Sequence, residues 1–87
     1  MLFPMGRLLA TPAALETISG DDFAEALGRH LKGDWGDVCE SDRRLNNAAL
    51  KTGARLFSAY HTAKKEKFWI ITEADRSATT VLLPSDY

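Results

Sequence analysis

Eighty-seven residues, 45% hydrophobic and 26% charged, have the composition of one folded domain and argue against intrinsic disorder. Eleven Lys and Arg against twelve Asp and Glu leave a net charge of −1, which excludes a polyanionic DNA mimic and lacks the basic excess of a typical nucleic-acid binder. Cys39 is the only cysteine, so the chain has no intramolecular disulfide and cannot build a cysteine-rich zinc site.

The start, Met1-Leu2-Phe3-Pro4-Met5-Gly6, is too short and too broken for a signal segment, and no long apolar run follows. The expected location is cytoplasmic, with no membrane contact. Residues 7–10 are a short apolar run that suits a strand. Thr11 and Pro12 then open a helix as N-cap and first helical residue, with Leu15 and Ile18 on its apolar side. Asp22 and Glu25 have the spacing of a capping box for a second helix running to about Lys32. Phe23, Leu27 and Leu31 recur every four residues as its buried stripe, and Gly33 stands where a C-cap glycine belongs. Ser41 is the expected cap of a third helix over residues 42–52, with Leu45, Ala48 and Ala49 inward and Gly53 closing it.

The last third reads as β. Residues 54–61, 67–73 and 79–83 are rich in aromatic and branched side chains and are joined by short polar segments, which implies an antiparallel meander. With Ala63-Lys64-Lys65 as the first loop, Phe57 falls opposite Ile71, Ala59 opposite Trp69 and Arg55 opposite Glu73. With Ala74–Ala78 as the second, Ile71 falls opposite Val81 and Trp69 opposite Leu83. One face then carries Phe57, Ala59, Trp69, Ile71, Val81 and Leu83 and reads as the core. The other carries Tyr60, Phe68, Ile70 and Leu82, and is too apolar to stand bare unless residues 1–10 or a second chain cover it. The fold class is α+β: three short helices on an antiparallel three- or four-stranded sheet, in a single domain over residues 1–87.

Two turns concentrate the polar chemistry, and loops carry function more often than the elements they join. Gly33-Asp34-Trp35-Gly36-Asp37 offers Asp34, Trp35 and Asp37, and its bland reading is a helix cap with Trp35 folded onto the core. Glu73-Ala74-Asp75-Arg76-Ser77 offers Glu73, Asp75, Arg76 and Ser77, with Arg76 as a planar donor for phosphate or carboxylate. Its bland reading is a hairpin loop in which Asp75 and Ser77 bond their own backbone, so that Asp75→Ala with Arg76→Ala would leave folding nearly intact. Tyr60 completes the candidate binding set. Asp34, Asp37 and Glu40 lack calcium-loop spacing, so no metal is assigned. His30 falls beside the apolar stripe of the second helix and reads as structural. No phosphate-binding glycine loop or nucleophile motif occurs, so no catalytic residue and no cofactor is assigned.

Arg7 to Leu15, the Gly33–Asp37 turn, Leu56-Phe57-Ser58-Ala59-Tyr60, and Trp69 through Ser77 onward to Leu83-Pro84 carry a resemblance over almost the whole chain. The chain resembles a family of small uncharacterised bacterial proteins common on plasmids and other mobile elements, often labelled plasmid-related protein or type I restriction endonuclease subunit M. The second label does not describe an activity here, because a methylation subunit needs a cofactor glycine loop and an Asn/Asp-Pro-Pro-aromatic motif, and this chain has neither. The resemblance implies an accessory gene on mobile DNA. The expected function is a non-enzymatic binding or adaptor protein acting through protein–protein contacts on a host defence or replication complex, as a homodimer, with nucleic acid not a direct ligand. The alternative is a small ligand-binding domain or enzyme with Glu73, Asp75 and Arg76 around a phosphorylated or acidic small molecule.

Overall fold

In the computed structural model, which describes residues 1–87, β1 (Arg7–Ala10) runs directly into α1 (Pro12–Thr17) and α2 (Gly20–Leu31). A loop leads to α3 (Glu40–Thr52), and β2 (Leu56–His61), β3 (Lys67–Thr72) and β4 (Ala78–Leu82) follow before a single 3₁₀ turn at Pro84–Asp86. The four strands form one mixed sheet in the order β1-β4-β3-β2. The C-terminal meander is antiparallel, and β1 adds to β4 in parallel. This is an α+β fold with three helices on a four-stranded sheet.

Local chemistry accounts for the helix ends. The Thr11 hydroxyl accepts from the Ala14 amide at 3.1 Å, and Pro12 occupies a position that needs no amide donor. Ser19, not Asp22, caps α2, accepting from the Asp22 amide at 3.1 Å. The Asp22 carboxylate is thereby released to accept from the Ala63 amide at 3.0 Å in the first hairpin loop. Cys39 rather than Ser41 precedes α3 and makes no side-chain cap bond, while Gly53 closes the helix at φ 79°. The inward faces are rotated from the expected ones. Ile18, at the C-cap of α1, and Ala49 are buried as expected, but the other inward residues are Ala14 and Asn46, while Leu15, Leu45 and Ala48 are exposed.

The first hairpin has the expected register, Phe57 opposite Ile71 and Ala59 opposite Trp69. Lys65 at φ 67° closes its three-residue loop. The second hairpin is one residue shorter than expected: Thr72 faces Thr79, Ile71 faces Thr80 and Trp69 faces Leu82. The cause is Arg76, which adopts φ 60°, and Asp75, whose carboxylate accepts from the Ser77 amide at 3.0 Å. Together they close the turn over four residues, with Glu73 N–H bonded to the Ala78 carbonyl at 3.0 Å. A one-residue slip exchanges the two faces of a strand. Val81 therefore lies with Ile70 and not with Ile71.

The helices cover the face opposite to the one expected. Tyr60, Phe68, Ile70 and Val81 form the main core with Ala14, Ile18 and Ala26. A second cluster joins Phe3, Trp35, Ala49 and Leu56. The face expected to be covered by residues 1–10 or a second chain is thus packed by the chain's own helices. The reason is polar: the same strand face carries Ser58, Thr72 and Thr79, which are fully buried and partnered.

Those hydroxyls meet His30 in a closed chain of hydrogen bonds. Thr79 Oγ1 donates to the Met5 carbonyl at 2.7 Å, so it accepts from Thr72 Oγ1 at 2.8 Å. Thr72 then accepts from His30 Nε2 at 2.9 Å, and His30 Nδ1 accepts from Ser58 Oγ at 2.5 Å. A hydroxyl has a single proton, so the Met5 carbonyl at one end fixes every donor, and His30 is the neutral Nε2–H tautomer. Burial pushes the His30 pKa down to about 4. No buried side-chain polar atom in the fold lacks a partner.

Both outward-facing peptides at the centre of β2 are satisfied from outside the sheet. The Ala59 amide donates to the Trp35 carbonyl at 3.1 Å, and the Asp37 amide donates to the Ala59 carbonyl at 2.8 Å. This bridge requires Gly36 at φ 75°, because a Cβ there would fall on the Ala59 carbonyl oxygen and the Tyr60 ring. One step along, the Asn46 side chain donates to the Phe57 carbonyl at 2.6 Å and accepts from the Phe57 amide at 3.0 Å.

Candidate binding face

The two polar turns are largely spent on the fold. Asp34 makes a bidentate pair with Arg29 at 2.8 and 3.2 Å. Arg29 holds the Asp34 carboxyl below its ordinary range, and Asp34 in turn raises the Arg29 guanidinium. The Trp35 ring is buried, and its Nε1 donates to Asn47 Oδ1 at 3.0 Å. Asp37 pairs with His61 Nδ1 at 2.7 Å on the surface. Tyr60 is buried beneath Arg29, its hydroxyl donates to the Asp34 carbonyl at 2.6 Å, and burial pushes its pKa up to about 12.

In the second turn, Arg76 donates to the Ala54 carbonyl at 2.6 Å, the Ala49 carbonyl at 2.9 Å and the Glu73 carbonyl at 3.2 Å. Its guanidinium serves as a brace between the C-terminal end of α3 and the hairpin, a use for which a planar fork of donors is suited. Bonds from the Ser77 amide and hydroxyl hold the Asp75 carboxyl below its ordinary range. The Ser77 carbonyl accepts from the Arg7 amide at 3.0 Å. Glu73 is exposed and makes no side-chain hydrogen bond or ion pair. Arg55 donates to the Tyr87 hydroxyl at 2.9 Å, so the expected Arg55–Glu73 ion pair does not form.

The turns are linked through a residue that sequence reasoning did not single out. The buried Phe3 ring stacks on Trp35 at 6.4 Å between centroids, and the Arg76 guanidinium lies over it at 5.7 Å. Phe3 also meets His30 edge-on at 5.3 Å. The N-terminal segment is therefore the common filler of both turns, and the turns share a support without forming an open pocket between them.

The open apolar surface is the other sheet face. Phe57 and Trp69 pack edge to face at 5.2 Å, and Trp69 meets Tyr87 in the same manner at 5.8 Å. With Leu45 and Ile71 they line an open groove of about 330 Å³, rimmed by Asp42 and Arg55. Leu45 is 66% and Tyr87 71% exposed, values that mark two large side chains standing mostly in solvent. Alternation along the strands places Phe57, Trp69 and Ile71 together, as expected; the sequence misassigned which side the helices take. Asn46, which sits at the floor of this groove, carried no sequence signal, since a helical Asn ordinarily reads as surface.

A shallow depression at the hairpin turn is lined by Glu73, Ala74, Asp75 and Ser77. No group of three or more His, Cys, Asp or Glu side chains converges anywhere in the fold, and no helix is long and apolar enough to cross a membrane. Comparison of the chain with family models, with curated proteins and with solved structures finds no match in any of the three.

Proposed function

We propose that this chain is a non-enzymatic binding or adaptor protein of mobile genetic elements that works as a homodimer and engages a protein of a host defence or replication complex. The groove formed by Leu45, Phe57, Trp69, Ile71 and Tyr87 is the observation that carries this reading. Aromatic side chains on an open face, with one acid and one base at the rim, suit a partner segment that presents large apolar side chains, such as one face of an amphipathic helix. The use of Arg76, Asp75 and Asp34 in the protein's own contacts weighs against the alternative, a site for a phosphorylated or acidic small molecule at Glu73, Asp75 and Arg76.

The test is recovery of partners from the native host by tagged protein, with and without nuclease. Wild type and Asp75→Ala should recover the same protein partner, insensitive to nuclease, and Trp69→Ala should lose it while remaining folded. Recovery unchanged by Trp69→Ala would remove the groove from the account. Loss with Asp75→Ala alone would favour the turn.

A further inference from the structure

We infer that the outer edge of β1 is where two copies of this chain join, by antiparallel pairing of β1 with β1 of a second copy into one eight-stranded sheet. This rests on the homodimer in the reading above and supplies its surface. The two edges of the sheet are treated oppositely. At β2 the outward peptides of Phe57 and Ala59 are taken by Asn46 and by the Trp35–Asp37 segment. At β1 the Arg7 amide bonds to Ser77 and the Thr11 amide to Val81, so alternate residues 7, 9 and 11 face β4. The peptides of Leu8 and Ala10 face outward and make no backbone hydrogen bond with any other segment of the chain.

β1 also lacks the features that protect edges. It holds no proline, no bulge and no lysine, and its only charge is at its first residue. Leu8 and Leu9 are each 41% exposed, one on either face of the sheet. An unshielded edge with apolar side chains is a template for another strand.

The occupant follows from the register. A two-fold axis at Leu9 sets Leu8 opposite Ala10 of the second copy and Ala10 opposite its Leu8. Both are hydrogen-bonded pairs, and together they use all four outward amides and all four outward carbonyls of the two strands. Leu9 then faces its own counterpart in a non-bonded pair, with side chains in contact on the open sheet face. Arg7 falls opposite Thr11, so no like charges meet. The same strand satisfies itself, which a two-fold interface requires.

Sedimentation equilibrium of the full chain should show reversible association from 9.6 kDa to twice that mass. Leu9→Glu, which sets two carboxylates face to face, should hold the chain at 9.6 kDa with its circular dichroism unchanged. In a Cys39→Ser background, Leu9→Cys should oxidise to a covalent dimer. The opposed Cα atoms of a non-bonded pair lie about 4.5 Å apart, within disulfide reach. Leu8→Cys in the same background should not, because its counterpart lies diagonally at about 7–8 Å. A monomer persisting to roughly millimolar chain overturns both the pairing and the homodimer. A dimer that survives Leu9→Glu and does not cross-link through Leu9→Cys overturns the β1 pairing alone and leaves a homodimer built on another surface.

Discussion

Asn46 stands toward Phe57 as a neighbouring strand would, donating to its carbonyl at 2.6 Å and accepting from its amide at 3.0 Å. One helical side chain thereby does the work of a peptide group at the edge of β2. Asn46→Leu is nearly isosteric but leaves both Phe57 groups unpaired beside an apolar surface. The expected loss is about 1–3 kcal/mol of stability in urea unfolding, against a change within about 0.5 kcal/mol for the exposed Lys51→Ala on the same helix. A silent Asn46→Leu would mean that water or a shifted α3 restores the pairing.

Between pH 6.5 and 4 the pH dependence is dominated by His30. Its folded pKa, about 4, is below the ordinary 6.5, so the fold favours the neutral ring and the unfolded chain takes up the proton first. Stability is complete above pH 6.5 and falls as the pH drops toward 4, by about 3 kcal/mol over that interval. Protonation would place a second donor against Ser58 Oγ, which already donates to that nitrogen, and this is the structural expression of the same cost. Nitrogen-15 spectra of the histidines should show an Nε2–H ring for His30 down to near pH 4, while denaturant midpoints decline through the window. A ring charged at pH 6 with the fold intact would contradict the hydrogen-bond order.

Arg76 separates the observed turn from the expected one. Arg76→Ala removes charge-assisted bonds to Ala49 and Ala54 and should cost about 2–3 kcal/mol, whereas Asp75→Ala, on the exposed side of the turn, should cost clearly less. Arg76→Lys should recover little, since a single ammonium cannot span both carbonyls. Thermal melts of the three variants give the order directly.

The two isoleucines of β3 test which face is the core. Ile70 is fully buried against the helices, and Ile71 lies under the aromatic groove. Ile70→Ala should cost about 3–5 kcal/mol and Ile71→Ala nearer 2. The reverse order would restore the face first read from the sequence.

Much of the architecture was legible because it depends on local chemistry: Thr11-Pro12 at a helix start, Gly33 and Gly53 at helix ends, and the three-residue loop that fixes Phe57 against Ile71. What was hidden depends on partners far away in sequence. Ser58 and Thr72 made the true core face read as the less apolar of the two, and only His30, Thr79 and the Met5 carbonyl, brought in by tertiary structure, give their hydroxyls partners. Arg76 read as a ligand donor because nothing in the sequence places the Ala49 and Ala54 carbonyls beside it. The groove aromatics were grouped correctly and assigned to the wrong side for the same reason.

The parallel pairing of β1 with β4 has a consequence for how the chain is made. Arg7 meets Ala78, and the Thr11 hydroxyl reaches Asp86 at 2.6 Å, so the first strand waits for the last. On a ribosome, the helices can form as they emerge, but β1 has no partner until β4 has followed them out. Closing so long a loop carries an entropic cost and slows the final step. During that interval the same apolar edge lies open on both sides, and nascent chains on one message are the nearest strands it can find.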